Sequence, residues 1–375
     1  MKFSCQTKSL KKALNQIEKV IPKQSTLAVL QNLFLSLKNN ELTLRGNDLE
    51  LGIENKISVQ DGEDGDVLIQ AKTLSDIMSR LQSESIDVTI DEQFTLALNA
   101  GDVNFKLLGL DAESYPAFPE IIQEQVFSIN VGDLLEMIKQ TIVAVSFDET
   151  KKFFNGILIS MEENNLNFTA TDGFRLALKS LTLPGDDTYH IKELIIPYKA
   201  VSEVSRLLYS YDHQKIVKVT LSQTQISFSC EDLLIISRLI TGKFPDTKNV
   251  IPSSFSHEIK IPRLAFLQSC ERASIIAASA NDIFKITFKE SNFLAIEAKA
   301  ASLGDFKEVK NVDVIKGSDE VSISFNIKLV IDFLRTVEHE EIVLSFNNSV
   351  SPCQFSIEND QAYTYIVMPI RTHSF

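Results

Sequence analysis

The sequence repeats itself at intervals of roughly 125 residues, and that period limits the possible folds more than any single motif does. Displaced by 124 positions, Phe3 falls on Phe127, Leu10 on Leu134 and Leu14 on Ile138. Without a gap, Leu33-Phe34-Leu35-Ser36-Leu37 then falls on Ile157-Leu158-Ile159-Ser160-Met161, Leu42 on Leu166, Leu44 on Phe168 and Asp48 on Asp172. A weaker third copy, slightly shifted, runs through Ile259-Lys260-Ile261, Leu264 to Ile276, Ile283 to Phe288 and Leu294-Ala295-Ile296. The units also close alike, on Phe118-Pro119-Glu120, Phe244-Pro245-Asp246 and Val367-Met368-Pro369, with the prolines 126 and 124 residues apart. The expected division is 1–122, 123–250 and 251–375; three unrelated α+β domains are the plain alternative.

Each unit reads as strand, helix, then several strands. In the first, Lys2–Gln6 is extended, and Leu10, Leu14, Ile17 and Ile21 give Lys8–Ile21 helical spacing. Leu33–Leu37 and Leu42–Leu44 alternate around the turn Lys38-Asn39-Asn40-Glu41. A second strand–helix pair follows in every unit: Val67–Ile69 before Leu74, Ile77, Met78 and Leu81; Leu194–Ile196 before Val201, Val204 and Leu208; Val321–Phe325 before Leu329, Val330, Phe333 and Val337. Six strand–helix modules result. Tyr115–Glu124 and Phe244–Ser256, proline-bearing and polar, read as linkers.

The net charge is −13, from 50 acidic and 37 basic residues, which is the wrong sign for a protein that grips a polyanion with its whole surface. The six expected helices (Lys8–Ile21, Lys72–Gln82, Val131–Val143, Tyr198–Tyr209, Pro262–Ala273, Ile327–Glu338) nevertheless hold 13 basic against 8 acidic residues. Solvated helix faces tolerate Lys and Arg, but Glu forms helices equally well. The bias therefore also fits helices that share one face turned to a polyanion. No run approaches the ~18 apolar residues of a membrane span. The start, Met1-Lys2-Phe3-Ser4-Cys5-Gln6, does not read as a signal peptide. Cys5, Cys230, Cys270 and Cys353 are far apart, so neither a zinc site nor a disulfide scaffold is expected, and a reducing cytoplasm is the natural setting.

Motifs for chemistry are missing. Gly242-Lys243 lacks the loop and hydroxyl of a phosphate-binding P-loop, no G-x-G-x-x-G or H-E-x-x-H occurs, and five histidines are scattered. The acidic run Asp61 to Asp66 lacks the EF-hand ligand order and reads as a solvated loop. Asp48 and Asp172 occupy equivalent places in two repeats, which fits turns better than acid–base catalysis. No catalytic residue, metal site or cofactor is expected.

Thr171-Asp172-Gly173-Phe174-Arg175-Leu176, Gly242-Lys243-Phe244-Pro245-Asp246 and Tyr365-Ile366-Val367-Met368-Pro369-Ile370-Arg371 carry a more specific signal. With the opening Met-Lys-Phe, Asn47-Asp48-Leu49-Glu50, Phe153-Phe154-Asn155-Gly156 and Arg175-Leu176-Ala177, the whole chain resembles the bacterial sliding clamps, the beta subunits of DNA polymerase III. The resemblance implies an α+β fold of three clamp domains, each of two strand–helix half-repeats with helices on one face of antiparallel sheets. It further implies a head-to-tail homodimeric ring around double-stranded DNA. The implied partners are the polymerase III alpha subunit, the clamp-loader complex, and other polymerases and repair proteins bearing clamp-binding peptides. No membrane partner is implied.

The same resemblance implies a peptide pocket of Phe154, Thr171, Gly173, Phe174, Arg175, Leu176, Pro245, Asn249, Val250, Asn326, Leu329, Val350, Val367, Met368, Pro369, Ile370 and Arg371. It places non-specific DNA contacts at Lys8, Lys12, Gln24, Lys72, Arg80, Phe153, Tyr198, Lys199 and Arg206, and a dimer interface at Phe105, Lys106 and Leu107 opposite Arg272, Ile275 and Ile276. Many relatives have His at Phe174 and some have Arg at Asn249, so a more apolar pocket is expected. The tail Thr372-His373-Ser374-Phe375 would lie near its mouth. Two other classes compete: a peptide-binding scaffold that no longer encircles DNA, which the basic helices disfavour, and a hydrolase hidden in the Asp48 or Asp172 turn, which the missing base and metal set disfavours.

Overall fold

The computed structural model describes residues 1–122, 124–148, 150–185, 189–289, 292–317 and 319–371. The first repeat runs β1 (Lys2–Gln6), α1 (Thr7–Ile17), β2 (Asn32–Lys38), β3 (Glu41–Asn47), β4 (Leu51–Ser58), β5 (Gln60–Glu63), β6 (Gly65–Gln70), α2 (Ala71–Arg80), β7 (Ser85–Ile90), β8 (Thr95–Ala100) and β9 (Val103–Leu108). The second runs β10 (Gln125–Asn130), α3 (Val131–Ile142), β11 (Gly156–Glu163), β12 (Asn165–Thr171), β13 (Arg175–Thr182), β14 (Tyr189–Pro197), α4 (Tyr198–Leu208), β15 (Ile216–Leu221), β16 (Gln225–Cys230) and β17 (Leu233–Arg238). The third runs β18 (His257–Pro262), α5 (Arg263–Ala277), β19 (Ile283–Lys289), β20 (Phe293–Ala300), β21 (Gly304–Asn311), β22 (Asp313–Lys316), β23 (Val321–Asn326), α6 (Ile327–Thr336), β24 (Glu341–Phe346), β25 (Cys353–Ile357) and β26 (Asp360–Val367). The fold is α+β, with antiparallel sheets and a strand–helix module at each expected place.

Sheets cross the repeat boundaries. One compact unit, Met1–Val131 with Arg206–Leu239, holds a five-stranded sheet in the order β5-β1-β7-β8-β9 and an eight-stranded sheet in the order β10-β15-β16-β17-β4-β3-β2-β6. In the latter, β17 of the second repeat zips onto β4 of the first, from Leu233 opposite Asn55 to Ser237 opposite Leu51. The other unit, Gly132–Ser205 with Ile240–Phe375, holds a nine-stranded sheet, β14-β11-β12-β13-β26-β25-β24-β18-β22, and a four-stranded one, β21-β20-β19-β23. Its seam pairs β13 with β26, Arg175 opposite Val367 and Lys179 opposite Tyr363.

Helix α1 shows why the pattern folds this way. Leu10, Ala13, Leu14 and Ile17 recur at helical spacing, and all four are buried. The helix packs so closely on β3 that a Cβ on Gly46 would sit 2.5 Å from Ile17 Cγ2. It ends earlier than the spacing predicts: Glu18–Val20 tightens into a 3₁₀ turn and Ile21 is extended, as the residue before Pro22 should be. Helix α5 runs four residues beyond its expected end at Ala273, which puts Ile275 and Ile276 on its last turn. Between β2 and β3, Asn39 and Asn40 both have positive φ, the backbone a two-residue hairpin requires.

Candidate peptide-binding site and basic surface

The loop between β12 and β13 is a closely hydrogen-bonded turn. Asp172 Oδ1 accepts the backbone N–H groups of Phe174 at 2.9 Å and Arg175 at 3.0 Å. Thr171 Oγ1 accepts from Gly173 N–H at 3.1 Å and donates to the Arg175 carbonyl at 2.6 Å. Gly173 has φ +90°, a conformation L side chains resist. The turn holds Phe174 outward, 68% exposed. In the first repeat Asp48 Oδ1 accepts from Glu50 N–H at 3.0 Å and Leu51 N–H at 2.7 Å, so both aspartates serve turns.

Arg175 is the strut beneath this turn. Its side chain is only 11% exposed, with Nε 3.0 Å from Asp172 Oδ2 and Nη1 2.6 Å from Asp332 Oδ2 in α6. Nη1 also donates to Tyr365 Oη, which in turn donates to the Leu329 carbonyl at 2.9 Å. Burial alone would lower the Arg175 pKa; Tyr365 and the two carboxylates more than reverse that and hold it above its ordinary value. Its guanidinium is thus spent on supporting the patch.

The chain end completes the patch. Strand β26 is central in its sheet, between β13 and β25. Beyond it, Met368 N–H donates to the Phe174 carbonyl at 2.9 Å and Ile370 N–H to the Ser324 carbonyl at 2.8 Å. Leu176 and Val367 are buried, Met368, Pro369 and Ile370 are half-buried, and Arg371 is exposed. Asn326 Oδ1 caps α6 by accepting Lys328 N–H at 3.0 Å. These contacts tie the 171–176 turn, Leu329 and residues 367–370 together and set the exposed Phe174 beside the half-buried Met368.

A second aromatic cluster supplies Phe154 and Pro245. Phe154 meets Phe153 edge-on at 4.7 Å and Phe244 at 6.2 Å, and Phe244 is buried with Leu158 and Ile195. Pro245 and Asn249 are exposed, with Asn249 Nδ2 3.3 Å from Asp246 Oδ2. Val250 and Val350 stand out on their turns, 37% and 48% exposed. The tail Thr372–Phe375 lies outside the described residues.

The expected basic positions are mostly at the surface. In the first compact unit Lys8, Lys12, Gln24, Lys72 and Arg80 are exposed. Lys12 Nζ lies 5.2 Å from the centre of the Tyr211 ring, and Arg80 Nη1 donates to the Asp76 carbonyl at 2.7 Å. Arg206 reaches back to the end of α1, donating to the Gln16 carbonyl at 3.0 Å. In the second unit Lys199 is exposed, Phe153 is half-buried, and Tyr198 meets the exposed Phe147 edge-on at 4.8 Å.

Phe105, Lys106 and Leu107 lie on β9, an outer strand of the five-stranded sheet. Beside them a hollow of about 490 Å³ is lined by Ile77, Leu81, Val103 and Phe105 among others. Arg272 grips Glu308 of β21, Nη2 lying 2.8 Å from both carboxylate oxygens. Ile275 is 68% exposed and Ile276 half-buried.

Among the described residues no group of three or more metal-ligating side chains gathers, and no helix is long and apolar enough to cross a membrane. All four cysteines are buried, and burial pushes the Cys5 and Cys353 thiols up to about 12, out of the range of a nucleophile at neutral pH. Asp332 and Tyr365, which position Arg175, and Phe244, which backs Phe154, were not among the expected site residues. Phe244 had a signal in its repeat with Phe118; the other two had none, because their role depends on a cross-repeat contact.

Family models for the N-terminal, central and C-terminal domains of the DNA polymerase III beta subunit match residues 1–119, 128–246 and 248–371. The "Beta sliding clamp" of Bacillus subtilis (strain 168) is 30% identical over 384 residues and covers all of both chains. That of Staphylococcus epidermidis is 30% identical over 382 residues, again over both full lengths. Among solved structures, the DNA polymerase sliding clamp from Bacillus subtilis superposes with a TM-score of 0.93 at 28% identity over 100% of both chains. A Pseudomonas aeruginosa sliding clamp bound to griselimycin gives 0.92 at 28% identity, covering 99% of this chain and 100% of that one.

Proposed function

The chain belongs to the DNA polymerase III beta-subunit family, and from that membership we propose that it is a DNA sliding clamp: two copies close into a ring around duplex DNA and tether the replicative polymerase. The observation that carries this reading is the run of three consecutive clamp-domain matches from residue 1 to residue 371. In this reading the clamp domains are 1–122, 123–250 and 251–375. The mechanism is topological. A closed ring cannot leave a duplex sideways, so it needs only weak contacts that ignore sequence, and Lys and Arg facing phosphates supply those. A polymerase held on the ring stays at high effective concentration beside its template. The chain acts as a processivity factor in the cytoplasm, and its chemistry is that of the polymerase it holds.

Ring closure falls to β9 and β21. Both are long outer strands with no fully buried residue, and they expose Leu108 (86%) and Val309 (52%). Left bare, such edges invite aggregation. Laid against each other between copies they form a head-to-tail contact that closes after two. Ile275 and Ile276 of one copy then enter the hollow beside Phe105 of the other.

The peptide pocket is the patch around Phe174 and Met368. The exposed Phe174 on its hydrogen-bonded turn, beside the half-buried Met368, Pro369 and Ile370, suits a short peptide docked by its large residues, and Met adapts to several such peptides. Clamp-loader subunits, the polymerase alpha subunit and repair proteins compete for it. The test is retention after loading: the dimer should stay on circular DNA and run off the same DNA once linearised. Equal loss from both would exclude encirclement.

A further inference from the structure

The turn that displays Phe174 has a counterpart in the first compact unit, where Asp48 stands at the repeat position of Asp172. Asp48 accepts the N–H groups of Glu50 and Leu51 as Asp172 accepts those of Phe174 and Arg175. Asn47 Oδ1 accepts Leu49 N–H at 2.7 Å, where Thr171 Oγ1 accepts Gly173 N–H at 3.1 Å. The neighbouring strand docks alike: Arg238 N–H donates to the Glu50 carbonyl at 2.8 Å, as Met368 N–H does to the Phe174 carbonyl at 2.9 Å. Leu51 faces Ser237 as Arg175 faces Val367. The backbone that sets Phe174 beside Met368 is therefore built twice, with different side chains. Glu50 stands in the place of Phe174 and Arg238 in that of Met368, and both are exposed. Where Gly173 has φ +90°, Leu49 has φ +75° and is 39% exposed. A leucine carries strain there that glycine would not, and strain kept at a displayed side chain points to a use for it. Gly52 replaces Leu176, and the linker closes onto it: a Cβ would lie 3.0 Å from the Phe118 ring and 3.6 Å from Pro119. That brings Pro119, with the exposed Glu120 after it, beside the strand leaving the turn.

We propose that the Leu49–Glu50 turn of the first compact unit is a second peptide-docking surface, which takes a partner segment carrying one Lys or Arg next to a leucine-sized residue. Charge complementarity selects that occupant. Among the described residues no ion pair engages Glu50, Glu120 or Arg238, whereas Arg175 in the second unit holds two carboxylates. Glu50 and Glu120 suit a cation, and Leu49 with Pro119 offers an apolar contact to the residue beside it. Arg238, on the neighbouring strand, repels a second basic residue, which limits the segment to a cation on one side. The charged rim also disfavours the apolar peptides that suit Phe174 and Met368, so the two surfaces take different partners. The inference rests on the peptide reading of the Phe174 turn, from which the function of this backbone is carried over.

The test titrates the full-length protein, by anisotropy, with the labelled octapeptide Gly-Ser-Lys-Leu-Leu-Gly-Ser-Gly and with the same peptide carrying Glu for Lys. Saturable binding of the Lys peptide, about one per chain and about fivefold tighter than the Glu peptide, is expected. Leu49→Gly should weaken it about fivefold, and Glu50→Lys should reverse the preference between the two peptides. Glycine suits the positive φ, so Leu49→Gly should melt no lower than the wild type. Should that variant fold poorly, Glu50→Lys decides alone, because its side chain is exposed, and an unreversed preference would overturn the proposal. No binding, equal binding of both peptides, or a Lys peptide displaced by Phe174→Ala instead would each overturn it too. A clamp-binding peptide titrated against Phe174→Ala tests the reading of the Phe174 turn separately, so the failure of either is seen by itself.

Discussion

Arg175 at the start of β13 lies 2.6 Å from Asp332 in α6, so a residue of the second repeat and one of the third share an ion pair, next in the chain to the exposed Phe174. Tyr363 repeats the cross-repeat connection deeper in the sheet, donating to the Gln140 carbonyl of α3 at 2.9 Å. Lys179 adds a third, 3.1 Å from Glu136 and 3.6 Å from Asp360. The second unit is thus held at its seam by polar contacts as well as by the β13–β26 ladder.

Arg175→Ala should both destabilise and weaken peptide binding. It leaves Asp172 and Asp332 without their shared cation, and a loss of about 2 kcal/mol is expected, less than for a fully buried pair because Asp332 is 38% exposed. Arg175→Lys should rescue only partly, since one ammonium cannot reproduce the planar fork. Thermal melts beside peptide titrations check this, and an unchanged Tm in the Ala variant would refute the strut role.

Phe174→Ala should behave differently. The ring is 68% exposed, so stability should change by no more than about 0.5 kcal/mol. Affinity for a clamp-binding peptide should still fall at least tenfold if the ring is a docking anchor. Wild-type affinity in this variant would move the pocket elsewhere.

Ile275→Ala with Ile276→Ala should yield a folded monomer. Ile275 is 68% exposed in the single chain, so its loss costs the fold little and the proposed interface much. Sedimentation and circular dichroism together decide: an unfolded product assigns the pair to the domain core, and an intact dimer places the contact elsewhere.

Lys72→Gln should weaken duplex binding alike on every sequence and flatten its salt slope by about 1. Fluorescence anisotropy on two unrelated duplexes is sufficient. A loss confined to one sequence would contradict sliding.

Glu297 provides an acid-side prediction. It lies directly between Lys285 and Lys307 on neighbouring strands, at 2.8 and 2.7 Å. Hydrogen bonds from Lys285 and then Lys307 lower its pKa from 4.5 to about 2. The carboxylate is held more tightly folded than unfolded, so its contribution is complete above pH 4.5 and disappears as pH falls toward 2. Glu297→Gln should cost about 1 kcal/mol at pH 7, allowing for screening around the exposed Lys307, and only a small part of that at pH 2, where about half of the carboxylates are protonated. Urea melts at the two pH values test it; a difference as large at pH 2 as at pH 7 would refute the assignment.

Much of the fold was legible because repetition and side-chain period are local. The spacing of Leu10, Leu14 and Ile17 marks α1, and Asn39-Asn40 marks its hairpin. Boundaries were less legible where a neighbour decides them. Pro22 imposes an extended Ile21, and α5, which packs on α6, β20 and β21, runs on to Ala277. Within the site, Thr171-Asp172-Gly173-Phe174-Arg175 could be read as a turn that displays an apolar ring. That Arg175 is a strut could not be, since Asp332 is 157 residues away in the chain.

By itself, then, the sequence determined the threefold repeat, the six strand–helix modules, the two aspartate turns and the basic bias of the helices, because each is written in short-range pattern and composition. The tertiary structure alone decided that the sheets run across repeat boundaries and that the last strand is central. It also decided that Arg175 supports the Phe174 turn through Asp332, a residue of another repeat. Strand pairing and charge pairing are set by which segments meet in space, and the energy of a meeting between distant residues leaves no mark on either residue's own stretch of chain.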